Sequence, residues 1–151
     1  MEDEELFIRW EVAEILKRYA DGEREFLYVD LSGADLSSVD FGERSLRGVI
    51  YNKKIKFSNA NLSSANLRNA FMQFVNLNNA NLNNANLERT LLEGANLKGA
   101  NLKGANLCST NLAGADLTNA DLSGATWGFN PKDAIFNNTI LPDGTIETDF
   151  D

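Results

Sequence analysis

The chain has 151 residues, 43% of them apolar, with one cysteine, no histidine and a net charge of −8. That length is one domain's worth, and a single Cys without His supplies no intrachain disulfide, no zinc site and no Cys/His catalytic pair. There is no apolar run of about 18 residues to span a bilayer, and the start, MEDEELFIRW, is acidic where a signal peptide is basic, so the expected compartment is the cytoplasm.

The first predicted element is an amphipathic helix over residues 3–20. Ile8, Val12, Ile15, Leu16 and Tyr19 share one face, acids crowd the first turn, Lys17 and Arg18 lie in the last, and Gly22 can end it. Residues 1–25 carry nine acids and four bases, net −5. Residues 128–151 carry five acids and one base, net −4, whereas residues 26–127 carry eight and nine, net +1. The acidity therefore belongs to the ends.

The middle of the chain repeats every five residues, a period that is neither the 3.6 of an α-helix nor the 2 of a strand. From Phe57 to Trp127 a large apolar residue, position i, recurs fifteen times, twelve of them Leu. Position i−2 is Ala in eleven of the fifteen, and i−1 is Asn or Asp in eleven. An earlier run, Phe26, Leu31, Leu36, Phe41, Leu46 and Tyr51, keeps the period but is offset by one residue. Alternation points i and i−2 inward and i−1 outward. Stacked units then bury both inward positions in a continuous solenoid core. Gly or Asn at i+2 suits a corner that needs unusual φ, and the i−1 Asn can hydrogen-bond backbone there.

The units ANLKG, ADLTN and ADLSG resemble the A(D/N)LXX motif of the pentapeptide-repeat family, including its short cyanobacterial members. The resemblance implies a right-handed quadrilateral β-helix, an all-β solenoid, with four units per coil. It also implies about five coils, and a rod about 24 Å long at ~4.8 Å per coil. The leader LKRYADGEREF is similar to N-terminal capping helices in that family. The expected organisation is residues 1–25 as capping helix and linker, 26–127 as the β-helix, and 128–151 as degenerate repeats (AIFNNTIL), the turn PDGT and a capping tail.

Four inward columns follow from stacking in fours. The first runs Phe26, Leu46, Leu67, Leu87, Leu107 and Trp127, and the second runs Leu31, Tyr51, Met72, Leu92 and Leu112. The third starts Leu36, Phe57 and the fourth Phe41, Leu62. Arg24 and Arg44 fall at i−2, where an unpaired charge is costly, so the register before residue 57 stays open.

Candidate functional residues lie outside the core. Phe71 and Leu91 break the Asn/Asp rule at i−1 and stand four units apart, hence on one side of neighbouring coils. Phe74 sits at the corner beside them, and Ile50 joins the column if the offset at 51–57 is a one-residue bulge. Such an outward stripe suits an unidentified protein partner or a second subunit, unless the chain's own termini cover it. A basic group, Lys53, Lys54 and Lys56 with Arg44 and Arg47 nearby, could meet an anionic partner, although a solvated bulge explains it as well. Cys108, at i+1, reads as an exposed thiol without an activator.

Catalytic, cofactor and metal constellations are absent: no His serves as base and no Gly-rich phosphate loop precedes a helix. The function expected is a non-enzymatic protein-interaction scaffold, monomeric or weakly dimeric, with no cofactor and no membrane contact. The alternatives are a structural spacer and DNA mimicry, which the resemblance suggests through the fluoroquinolone-resistance members that bind gyrase. A mimic needs a long acidic surface, and the near-neutral rod with Lys98 and Lys103 on it disfavours nucleic-acid-like behaviour.

Overall fold

The computed structural model describes residues 8–42, 54–128 and 134–148. From residue 54 onward the chain climbs as a four-walled coil. Parallel bridges join positions four units apart, as in Asn61↔Asn81↔Asn101 and Phe71↔Leu91↔Asn111. We number the walls by their inward residues. Wall 1 holds Phe57, Leu77, Leu97 and Leu117, wall 2 Leu62, Leu82, Leu102 and Leu122, wall 3 Leu67, Leu87 and Leu107, and wall 4 Met72, Leu92 and Leu112. All of these are buried, as are the small residues at i−2.

Each corner has one chemistry. The N–H of the residue at i+3 donates to the carbonyl of i (Ala80 to Leu77, 3.0 Å), closing a turn whose third residue is left-handed (Asn79, φ 56). A positive φ at that position is the type II requirement, which Gly and Asn meet with least strain. The i−1 side chain completes the corner: Asn76 Oδ1 accepts the Asn78 N–H at 3.0 Å, and the same Asx turn recurs at Asn81, Asn96, Asn101 and Asp116. The i−1 Asn expected to bond the corner backbone does so.

In the first coil the register differs from the sequence columns. Its bridges run Glu25↔Lys56, Asp30↔Asn61, Asp35↔Asn66 and Asp40↔Phe71, a longer step in sequence than the four units that separate bridge partners higher up. Phe26 therefore stacks on Phe57, ring centroids 5.6 Å apart, where the sequence columns put Leu46. Leu46 and Tyr51 lie outside the described residues. The five-residue spacing that carried them into the columns is a property of side chains alone. Backbone pairing sets the register, and it puts Asp40 below Phe71.

The N-terminal helix is shorter than expected. Ile8–Arg9 (β1) is extended and pairs in parallel with Val29–Asp30 (β2), so α1 spans only Val12–Ala20. The edge of β2 offers unpaired backbone groups that an incoming strand satisfies. Gly22 does end the helix: its N–H bonds Tyr19 O at 3.0 Å and the Glu23 N–H bonds Arg18 O at 2.9 Å, with φ +97 at Gly22, a Schellman stop. Ile15 is fully buried, Trp10 meets Phe26 edge-on at 6.3 Å, and Tyr19 meets Phe41 at 5.2 Å. Arg24, the costly i−2 charge, donates to Tyr19 O and Glu23 O and lies 4.0 Å over the Tyr19 ring. Carbonyls at a helix C-terminus are a favourable place for a cation.

Two short parallel strands, Asn106–Leu107 (β3) and Thr126–Trp127 (β4), pair on wall 3. At the far end AIFNNTIL behaves as further units: Ile135 bridges Asp116, Ile140 bridges Asp121, and Phe136 is buried. Thr139–Ile140 (β5) then folds back through the PDGT turn onto Ile146–Glu147 (β6), antiparallel. Asp143 Oδ1 accepts the Thr145 N–H at 2.9 Å in that turn.

Candidate functional site

Wall 4 places the sequence-predicted stripe together in part. Phe71 and Leu91 are bridge partners in successive coils, both half-buried. Neither carries an acceptor, so the Asx turn made above and below them by Asn111 (to the Ala113 N–H, 3.0 Å) and Asp40 (to the Gly42 N–H, 3.0 Å) is not available to them. Ile50 lies outside the described residues. Phe74 stands at the next corner with 50% of its surface exposed and φ 61, a backbone region that a bulky side chain adopts only under strain.

Phe74 is held between two neighbours. Its ring covers the α-carbon of Gly94 in the coil above, where an added Cβ would meet the ring at 2.5 Å. Lys54 Nζ lies 5.2 Å from the ring centroid, within reach of a cation–π attraction. Gly94 was thus legible only as a corner glycine; that it also makes room for Phe74 follows from stacking and from no local sequence signal.

The basic group is less free than its sequence suggests. Lys56 Nζ forms a 2.7 Å ion pair with Glu25 Oε1 across the first two coils, and Lys54 leans on Phe74. Both line a cleft of about 750 Å³ with Gly22, Glu23, Arg24, Glu25 and Asn76. Among the described residues its two carboxylates, Glu23 and Glu25, offset most of the charge of Arg24, Lys54 and Lys56. Lys53, Arg44 and Arg47 lie outside the described residues.

Elsewhere the outward positions from Asn76 to Asp121 are mainly polar, although Leu27, Tyr28, Ile135 and Ile146 are also exposed among the described residues. Lys98 reaches Asp116 at 3.2 Å and Lys103 reaches Asp121 at 3.3 Å between coils. Burial pushes both carboxyls up, but hydrogen bonds from Thr118 and Ser123 and the facing lysines outweigh it and hold both below the usual carboxylate value. Cys108 is partly buried rather than exposed. Sequence reasoning also missed Thr90 and Thr110, which replace Ala at i−2 on wall 4. Their hydroxyls donate to Leu67 O and Leu87 O at 2.7 Å inside the core. The substitution of Thr for Ala at an inward position was the available signal.

Residues 55–94 and 91–126 match the family model for pentapeptide repeats, in eight copies. A pentapeptide-repeat protein (Rfr23) from the cyanobacterium Cyanothece 51142 is 33% identical, over 89% of this chain and 97% of its own, with a TM-score of 0.56.

This chain is a member of the pentapeptide-repeat family.

Pentapeptide-repeat proteins form right-handed quadrilateral β-helices, and the four-walled coil described above is that fold. Also similar are alr5209 from Nostoc PCC 7120, 31% identical over 86% of this chain and 98% of its own (TM-score 0.46), and HetL from Nostoc sp. strain PCC 7120. HetL, a pentapeptide-repeat protein involved in heterocyst differentiation regulation, is 32% identical over 79% of this chain (TM-score 0.41), and this chain spans only 52% of its length. No curated protein matches. Among the described residues no helix is long and apolar enough to cross a membrane.

Proposed function

We propose that this pentapeptide-repeat protein is a non-enzymatic scaffold that docks another protein on wall 4. One observation carries the reading: Phe71 and Leu91 occupy, in successive coils, the position that holds a turn-closing Asn or Asp in eleven of the fifteen units from Phe57 to Trp127, with a strained, half-exposed Phe74 beside them. Left-handed backbone costs a bulky residue about 1–2 kcal/mol. Asn, which serves at six other left-handed positions, avoids most of that cost. Residues that sacrifice fold stability on a shared surface are candidates for recognition.

The ends of the rod support the choice of wall. β1 pairs with β2, and β6 with β5, both on wall 2, which lies opposite wall 4 in a four-walled coil. β1 and β6 thus lie across the rod from the stripe, while the described chain breaks off at Gly42 and resumes at Lys54 on the wall 4 side. In this reading residues 26–127 form a rod of about five coils. Residues 1–25, through α1 and its aromatic contacts with Phe26 and Phe41, cap one end, and residues 128–151, through the β5–β6 hairpin, cap the other. The protein works in the cytoplasm as a monomer or weak dimer, without cofactor or reaction of its own; its sequence has no histidine to act as a base.

Affinity capture from native lysate with wild type and with Phe71→Asp/Leu91→Asp tests the proposal. A partner retained by the wild type and lost by a double mutant of unchanged circular dichroism is expected. If every partner survives the double mutation, wall 4 is not the docking surface.

The Lys53, Lys54 and Lys56 group, as a contact for an anionic partner, is the weaker reading, because Lys56 is already paired with Glu25. DNA mimicry toward an enzyme such as gyrase ranks lower still. Residues 26–127 carry +1, and lysines meet the carboxylates of Asp116 and Asp121. Inhibition of gyrase supercoiling at stoichiometric protein would reverse that ranking.

A further inference from the structure

We infer that residues 43–53 are an insertion into a coil that is complete without them. Bridge partners in the first and second coils have a sequence separation of 31, as Asp35 and Asn66 do, and those in the next coils one of 20, as Asn61 and Asn81 do. The difference, 31 − 20 = 11, is the length of the segment from 43 to 53. The flanking residues occupy successive repeat positions. Gly42 lies under Gln73, whose amide oxygen an added Cβ at Gly42 would strike, so Gly42 holds the i+1 place of wall 4.

Lys54 takes the next place. It sits four units before Phe74, leans over that ring at 5.2 Å, and continues the corner column Lys54, Phe74, Gly94. Ile55, Lys56 and Phe57 then follow as i−2, i−1 and i of wall 1, with the Lys56 N–H on Arg24 O at 2.7 Å. Joining Gly42 to Lys54 gives Asp40-Phe41-Gly42-Lys54-Ile55-Lys56-Phe57, in which Phe41 and Phe57 are five positions apart, as successive inward residues from Phe57 to Trp127 are.

The described coils therefore keep their register without this segment, and eleven extra residues between Gly42 and Lys54 add only a modest closure entropy. Its sequence, Glu43 to Lys53, is free of the repeat's constraints on which residues may face inward.

Two variants test the inference by thermal unfolding followed by circular dichroism. In one, residues 43–53 are deleted and Gly42 joined to Lys54; in the other they are replaced by eleven alternating Gly and Ser residues. Both are expected to unfold cooperatively within about 5 °C of the wild type. Excision of residues 87–97, a segment of the same length, is the contrast, since it moves the coils above out of register by one residue and is expected to abolish the transition. Loss of the cooperative transition, or a fall of more than roughly 10 °C, in either of the first two variants overturns the inference.

Discussion

Walls 1 to 3 and wall 4 share an interior and differ outside. Behind every wall Leu, Met or Phe fills the i column. In front, walls 1 to 3 carry mainly Asn and Asp, each closing its own corner, while wall 4 substitutes Phe71 and Leu91 at mid-height. A repeat that builds its fold from inward residues leaves the outward ones free to differ, and the cost of differing is the lost Asx turn. The comparison separates what folds this rod from what could let it recognise something.

The largest effect should ignore the difference between walls. Leu82→Ala on wall 2 and Leu92→Ala on wall 4 each open a cavity in a fully buried column, and each should cost about 2–5 kcal/mol by denaturant unfolding. A much cheaper Leu92→Ala would mean that wall 4 is a looser side of the core. Next comes Gly94→Ala. It places a Cβ at φ +65 against the Phe74 ring, whereas Gly114 has nothing nearer than 3.9 Å to a new Cβ. Gly94→Ala should cost roughly 1–3 kcal/mol, more than Gly114→Ala, and the excess should vanish in a Phe74→Ala background, as a double-mutant cycle would show.

The outward positions sharpen the contrast. Asn81→Ala removes the 3.0 Å bond to the Asn83 N–H and should cost about 0.5–1.5 kcal/mol. Leu91→Asn supplies the acceptor that wall 4 lacks and should be neutral or stabilising. Phe74→Asn should raise stability by up to about 1 kcal/mol while weakening partner capture, the trade expected where a residue serves binding at the fold's expense.

The smallest effect is acid sensitivity. Asp116 and Asp121 have folded pKa values below the ordinary 3.8. Their contribution is therefore present above about that pH and lost as pH falls through the lower folded values. Lys98→Met with Lys103→Met should flatten the fall in Tm between neutral pH and about pH 3, by a small amount because the pairs are partly solvated.

The coil from residue 57 onward was legible residue by residue, because Ala at i−2, Asn at i−1 and Leu at i each answer a local demand: a narrow interior, an unsatisfied turn N–H, a column to fill. The stripe of Phe71 and Leu91 was legible as a breach of those demands. Three features were not. Ile8 fits a helical face, but the open edge of β2 drew it into a strand. Leu46 and Tyr51 keep the five-residue step, yet Phe57 and Leu62 are what stand over Phe26 and Leu31. Gly94 reads as one more corner glycine until Phe74 is seen lying on it.

By itself the sequence determined the repeat, the inward columns above residue 57, the corner chemistry and the acidic ends, since each depends on residues within one unit or on the unit's period. The tertiary structure alone decided the register of the first coil, the pairing of β1 and β6 on wall 2, and the company Phe74 keeps. Those depend on which backbone edge meets which, and hydrogen bonds between coils are made by groups every residue carries, so side-chain identity does not encode them.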